Sequence, residues 1–529
     1  MKGTGYLLRL YARTVRRQML IWVLAFLLLV PASVVAIKEA YPDSAALQAR
    51  AQLLDNPAAV MMTGPMFDQD HYTLWAMVAN ELALYLYLPA AIMGILLMVR
   101  LTRAEEESGR LEMVRSLPVG RHAPAVAALV VVAAASAAVG AAASAGVLFT
   151  GGAVPDSIAL GSATALSGLL FGAIAAVAAQ ITEHAGTASG MALGALAVAF
   201  MVRGLGDVID RQGSWLSWFS PLAWAQQTRA YVDLRWWPLV LSLGVAALLL
   251  ASAMTLAHRR DLGAGLRSAS AGRADASRGL VRPQGLANRL LRGSFTAWLI
   301  GLLLFAVAFG MLATSLEDMI SEMPMVQDWI PLDLDDMVRS FAAVILTFLT
   351  LGPVGLIVSG VMRLRTEETS GRLGGMILGG RSRQRAALGW LGLLAAWCFP
   401  MQGILGLGVG VGIWTATEDA AWVPEMALAS LAYLPAIALC GAIAFALYGI
   451  EARLAPLAWI VVIWASVVAF LGGLLGLPDW LLGLSPLHHV PLVPSAQVEA
   501  VPLVVMSLLA VVLVAVGLWG LRRRDLAGG

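Results

Sequence analysis

The sequence predicts an all-α polytopic membrane protein, twelve transmembrane helices arranged as two parallel six-helix repeats. Hydrophobic residues make up 59% of the 529 positions and charged residues 13%. The apolar residues fall in runs near the ~20 that cross a bilayer core. A charged stretch, Arg103-Ala-Glu-Glu-Glu-Ser-Gly-Arg-Leu111, recurs 262 positions later as Arg365-Thr-Glu-Glu-Thr-Ser-Gly-Arg-Leu373, with seven of its nine positions identical. Each copy follows the second apolar run of its half, so the chain reads as one six-span unit written twice.

The chain opens with Leu7, Leu8, Leu10, Tyr11 and Val15 partly segregated from Arg9, Arg13, Arg16 and Arg17, the pattern of an interfacial elbow helix over 3–17. Spans follow at roughly 19–37, 74–99, 123–149, 158–180, 187–205 and 236–257, and then at 296–314, 340–361, 386–414, 425–449, 455–475 and 501–520. The first run is too long for a cleavable signal segment and lacks a small-residue cleavage site, so it is expected to stay as span 1. Residues 266–292, rich in Ser, Ala, Gly and Arg, read as a cytoplasmic linker between a first half at 1–265 and a second at 293–529.

Two more matches support the duplication. Trp215 to Leu222, containing Ser220-Pro-Leu, answers Trp480 to Leu487, containing Ser485-Pro-Leu. The halves end alike, in His258-Arg-Arg-Asp-Leu-Gly-Ala-Gly265 and Arg522-Arg-Arg-Asp-Leu-Ala-Gly-Gly529. An even number of spans per half makes the repeats parallel, related by an axis along the membrane normal.

Placing both termini in the cytoplasm puts most of the 35 basic residues inside, as the positive-inside rule requires. The net charge of +2 therefore says nothing of nucleic acid; the basic residues anchor loops at an anionic inner leaflet. Cys398 and Cys440 fall within spans and read as small buried hydrophobes, with no disulfide and no metal site expected.

The first cassette continues through Leu111-Glu-Met-Val-Arg-Ser-Leu-Pro118. Glu105 to Glu107 extend the end of span 2, Gly109 permits a change of direction, and Leu111 to Leu117 form a short helix stopped by Pro118. This order of an acidic pair, a Gly, Leu-Glu and a later Pro resembles the signature of ATP-binding-cassette exporter permeases. With twelve spans, two cassettes and the Arg-Arg-Asp-Leu ends, essentially the whole chain resembles the tetronasin or polyketide-antibiotic exporter permeases.

That resemblance implies coupling segments at 104–118 and 366–380, docking in clefts of two copies of a separate ATPase. Their expected contact residues are Glu105, Glu106, Glu107, Gly109, Arg110, Leu111 and Glu112, with Glu367, Glu368, Gly371, Arg372 and Leu373. The second copy departs after Leu373, reading Gly374-Gly-Met-Ile-Leu-Gly-Gly380, and lacks equivalents of Glu112 and Pro118. ATP and Mg are expected on the partner: a phosphate-cradling loop needs a Gly-Lys-Ser/Thr sequence, and the chain's only lysines are Lys2 and Lys38.

Within the spans Glu81 stands out, because a carboxylate in a bilayer is costly unless it faces a polar cavity or a partner. Met77, Glu81 and Tyr85 share one predicted helical face. They line a substrate path or, alternatively, Glu81 pairs with Arg203. Phe341, Phe348 and Trp464 complete the path candidates; ordinary packing is the competing reading.

The function expected is the permease subunit of an ATP-driven exporter in a bacterial plasma membrane, moving hydrophobic or amphiphilic compounds outward. A gradient-driven secondary transporter using Glu81 is the main alternative. A membrane enzyme acting on lipids is the third, with no convincing nucleophile, metal cluster or paired carboxylates to support it.

Overall fold

Apolar chain cannot leave its amides unpaired in lipid, and it closes them within helices. In the computed structural model the chain is helical throughout, with no strand among the described residues. Those are all residues except 1–2, 55–56, 211, 267–274, 276–282, 312, 314–336, 373–381, 472–477 and 526–529. The chain divides into two compact units, Met1–Gly272 and Arg273–Gly529.

Unit 1 comprises α1 (Thr4–Ala40), α2 (Ser44–Leu53), α3 (Pro57–Thr63), α4 (Leu74–Glu81), α5 (Ala83–Leu101), α6 (Arg103–Glu107), α7 (Arg110–Arg115), α8 (Ala123–Phe149), α9 (Val154–Ile181), α10 (Ala185–Ile209), α11 (Pro221–Gln226) and α12 (Trp237–His258). At its centre α9 packs against α5, α8, α10 and α12. Small residues permit this: a Cβ built on Gly94 would lie 1.9 Å from the Gly168 carbonyl oxygen, and one on Gly140 2.3 Å from that of Gly161. Between helices in lipid such backbone approach supplies the packing that a hydrophobic drive does not.

Residues 3–17 do not form a separate elbow. They open α1, a single helix of 37 residues, about 55 Å long at 1.5 Å per residue and well beyond a ~30 Å hydrocarbon core. Leu7, Tyr11 and Val15, four apart on one face, are buried in the unit's core, against which Val114 and Val119 also pack. Arg9, Arg13, Arg16 and Arg17 are exposed. The apolar stripe that suggested a lipid-facing surface is covered by protein.

At the other end of α1 the chain builds a cap over α4. Asp43 caps α2, accepting from the Ala46 amide at 2.8 Å. Leu47, Ala51, Leu54, Met66, Tyr72, Ala76 and Met77 form a small core of their own.

Unit 2 comprises α13 (Pro283–Gly310), α14 (Met337–Thr369), α15 (Arg383–Thr417), α16 (Trp422–Leu431), α17 (Leu434–Ile450), α18 (Ala458–Leu471) and α19 (Ala500–Arg523). The last residues of the expected linker, from 283 on, are the opening of α13. Its buried stripe of Ala287, Leu291 and Phe295 explains why: Phe295 packs on Trp397, whose indole donates to Asn288 Oδ1 at 2.8 Å. The helix pairings of unit 1 recur. As α1 packs on α8, α13 packs on α15, and as α9 packs on α12, α17 packs on α19.

Eleven helices among the described residues are long and apolar enough to cross a membrane. The expected span at 455–475 is represented by α18, 14 residues long, and its remainder reaches residues outside those described.

Replacing Gly94 with Ala forces a methyl into the Gly168 carbonyl; overpacking of this kind costs about 1–3 kcal/mol. The Gly94→Ala protein is expected to melt well below the parent in detergent. Gly190→Ala, in α10 with nothing within 4 Å of the added carbon, is expected to melt at or slightly above it.

Candidate functional site at the duplicated cassettes

The two cassettes share backbone and bonding. Gly109 and Gly371, at matching positions, both adopt the left-handed conformation with φ 73°, where a side chain is strained. Ahead of each glycine a glutamate is bound by the arginine that follows it. Arg110 reaches Glu105 at 3.0 Å and 2.9 Å. Arg372 reaches Glu367 at 2.6 Å and 3.2 Å, with Arg363 adding a contact at 3.0 Å. The hydrogen bond to Glu367 raises the Arg372 guanidinium above its ordinary pKa.

The next glutamate of each cassette is taken by the arginine-rich end of the unit's last long helix. Arg260, just past α12, grips Glu106 with both terminal nitrogens, at 2.8 Å and 2.9 Å. Its Nε donates to Gln180 Oε1 at the end of α9, at 2.7 Å. Arg103 also bonds Glu106 and donates to the Gly263 carbonyl at 2.8 Å. In unit 2, Arg524 binds Glu368 through both terminal nitrogens, one contact at 2.7 Å. Its Nε donates to the Gly449 carbonyl at the end of α17, at 3.1 Å. The Tyr448 hydroxyl donates to Glu368 as well.

Both pairs are closed to solvent. Side-chain exposure is 10% for Glu106 and 7% for Arg260, and 1% for Glu368 and 12% for Arg524. A bidentate guanidinium–carboxylate pair is the strongest geometry such groups have, and removing one member of a buried pair costs about 3–5 kcal/mol.

Five of the cassette acids expected to meet a partner also bind groups within their own unit. Glu105 and Glu106 are engaged within the chain. Glu107 accepts from the Ala185 amide at 2.8 Å and lies 3.4 Å from His184 Nδ1, so it serves the amino-terminal end of α10, where a negative charge is favoured. Leu111 is buried at 6% exposure, whereas Met113 at 67% and Leu117 at 59% are open, as is Glu112. The outward face of the first cassette is therefore α7 and the residues just after it. Leu373 and the rest of the second segment lie outside the described residues.

The path candidates fall in both units. In unit 1 the backbone stays helical through Leu82, with the Leu86 amide donating to the Leu82 carbonyl at 3.1 Å, and the environments along the face of Met77, Glu81 and Tyr85 differ. Met77 is buried at 1% exposure and Tyr85 open at 65%. Glu81 receives Arg50 of the cap, at 3.1 Å and 2.9 Å. It does not pair with Arg203, whose partners are Asp207 at 3.2 Å and the Met61 carbonyl. Asp207 is further fixed by the Ser217 hydroxyl at 2.7 Å. In unit 2, Phe341 and Phe348 pack against the core, and Trp464 donates to the Leu481 carbonyl at 3.2 Å.

Sequence reasoning named the glutamates with Arg110 and Arg372 but overlooked Arg260 and Arg524. The signal was present, since Arg260 and Arg524 stand in the repeated Arg-Arg-Asp-Leu ends. Asp207, one helical turn from Arg203, was legible by the same i,i+4 rule. Arg50, 31 positions from Glu81, had no local signal.

The family model for the C-terminal domain of the multidrug efflux system permease Rv1217c matches residues 7–257 and 280–522. The multidrug efflux system permease protein Rv1217c of Mycobacterium tuberculosis H37Rv is 35% identical over 530 residues, covering 99% of this chain and 95% of that protein.

Glu81→Gln and Arg50→Gln are each expected to lower stability by about 1.5–3 kcal/mol, the range for a hydrogen bond to a charged group. The double variant should melt no lower than the worse single one, because both changes remove the same contact. Thermal melts of the four proteins in detergent check this.

Proposed function

The chain belongs to the family of the multidrug efflux system permease Rv1217c, and from that premise we propose that it is the membrane subunit of an ATP-driven exporter. It moves hydrophobic or amphiphilic compounds, polyketide-type antibiotics and drugs among them, out of a bacterial cell. Two copies of a separate ATPase bind ATP and Mg and supply the energy. Both termini, the linker and both cassettes lie in the cytoplasm, where the arginine-rich helix ends meet anionic lipid. The twelve spans form two parallel six-span repeats, one per half.

The observation that carries this reading is α7 with the turn that follows it: a short helix set off by the Gly109 turn, with Met113 on the helix and Leu117 just past it held out from unit 1 beside Glu112 and Arg115. A soluble partner buries exposed apolar side chains of this kind at the centre of a contact and ranges charge around them. Glu105 and Glu106 support the contact from behind by fixing the cassette. The gradient-driven alternative needs Glu81 unpaired, and that carboxylate is held by Arg50.

Met113→Asp with Leu117→Asp is expected to reduce co-purification of the ATPase encoded beside the gene by about tenfold or more, since such central contacts dominate binding. The purified permease should keep its melting temperature. Co-expression followed by mass measurement of the complex in mild detergent reads both stoichiometry and loss. Full retention of two ATPases by the double variant would remove α7 as the docking element.

A further inference from the structure

A docking helix transmits force only if what lies behind it is stiff. On its own the first cassette is not. The helix breaks at Thr102, with φ −120° and ψ −83°, and turns again at Gly109, with φ 73°. Pressed by a partner, α6 and α7 would swing on these two joints while the long helices stayed in place.

The arginine clasp removes that freedom in unit 1, and in unit 2, where Glu368 belongs to the continuous helix α14, the matching clasp ties the end of that helix to its neighbours. Arg260 holds Glu106 of α6, Gln180 at the end of α9 and, through the Ala264 carbonyl at 2.9 Å, its own segment past α12. Around it Leu266 donates to the Gln180 carbonyl at 2.9 Å, so the end of α12 is hooked beneath α9. Arg524 holds Glu368 of α14 and Gly449 at the end of α17 while itself ending α19. There α17 and α19 are locked further along by backbone approach: a Cβ on Gly449 would lie 2.1 Å from the Gly517 oxygen.

The duplicated arginine therefore joins the same three elements in each unit: the cassette, the end of the fourth span and the end of the sixth. An attachment needed only for stability could fall on any helix. This one ties the moving element to two others in both units.

We infer that Arg260 and Arg524 are transmission residues, positioning groups that convert displacement of each cassette into displacement of the fourth and sixth spans of its own half. The inference rests on the ATP-driven reading and adds to it the route by which the cassettes act on the bundle. Each clasp has a further contact on its glutamate, Arg103 on Glu106 in unit 1 and the Tyr448 hydroxyl on Glu368 in unit 2.

The test uses the full complex in proteoliposomes with a fluorescent amphiphile as cargo. Arg260→Gln and Arg524→Gln are expected to keep two ATPases and to hydrolyse ATP within about twofold of the parent, since each arginine stands behind the docking face. Cargo moved per ATP should fall about tenfold or more in each. Arg260→Lys, which keeps a donor cation beside Glu106, should retain more of the coupling than Arg260→Gln.

Unchanged cargo per ATP in assembled variants overturns the inference, and so does a loss of transport that only follows loss of assembly. If no ATPase joins the parent chain, the exporter reading falls, and the clasp is then judged on the chain alone by hydrogen exchange. Joint loss of protection at 103–107 and 178–184 in Arg260→Gln upholds the mechanical tie. Unchanged protection at 178–184 overturns it.

Discussion

A carboxylate that leaves bulk water must find a cation or lose its charge, and in each unit of this chain one cassette glutamate finds an arginine at the end of the unit's last long helix. Glu106 meets Arg260 and Glu368 meets Arg524. Much else follows from that requirement. The end of α12 must turn back under α9 to bring Arg260 within reach, and the cassettes must stay against the bundle. The exposed apolar side chains at the first cassette are then Met113 and Leu117. Because a buried ion pair is costly to break and gains little over an apolar contact when intact, its presence at matching positions favours a role in geometry over one in stability alone.

The packing between the long helices serves the same end by different means. Where the clasps fix helix ends, glycine contacts such as Gly94 with Gly168 and Gly449 with Gly517 fix helix flanks. Such contacts depend on shape and carry no charge, so they tolerate lipid on their outer sides. Polar fixation is kept to the ends, at the cassettes and at the Arg50–Glu81 pair of the cap. This division lets each unit behave as a body with two defined ends, one bearing the cassette and, in unit 1, the other bearing the cap.

Glu81 illustrates how a functional expectation is decided by a neighbour. An isolated carboxylate in an apolar run invites a role in transport. Bound by both ends of a guanidinium from α2, it fastens the cap to α4. Arg203 changes in the same manner: its charge is met four residues away by Asp207, and it anchors the chain at Met61.

Hydrophobic run length was enough to establish helices and their approximate limits, because it is a local property of the chain. The left-handed turns at Gly109 and Gly371 were legible for the same reason. What the chain could not express locally was pairing over distance: Glu106 with a residue 154 positions away, Glu368 with one 156 away, and Glu81 with an arginine of the cap. The amphipathic start of α1 was equally ambiguous, since an apolar stripe is the same whether lipid or Val119 covers it. Tertiary structure decided these points, because a charge or an apolar face specifies only the chemistry of its partner, and folding selects which group of that chemistry arrives.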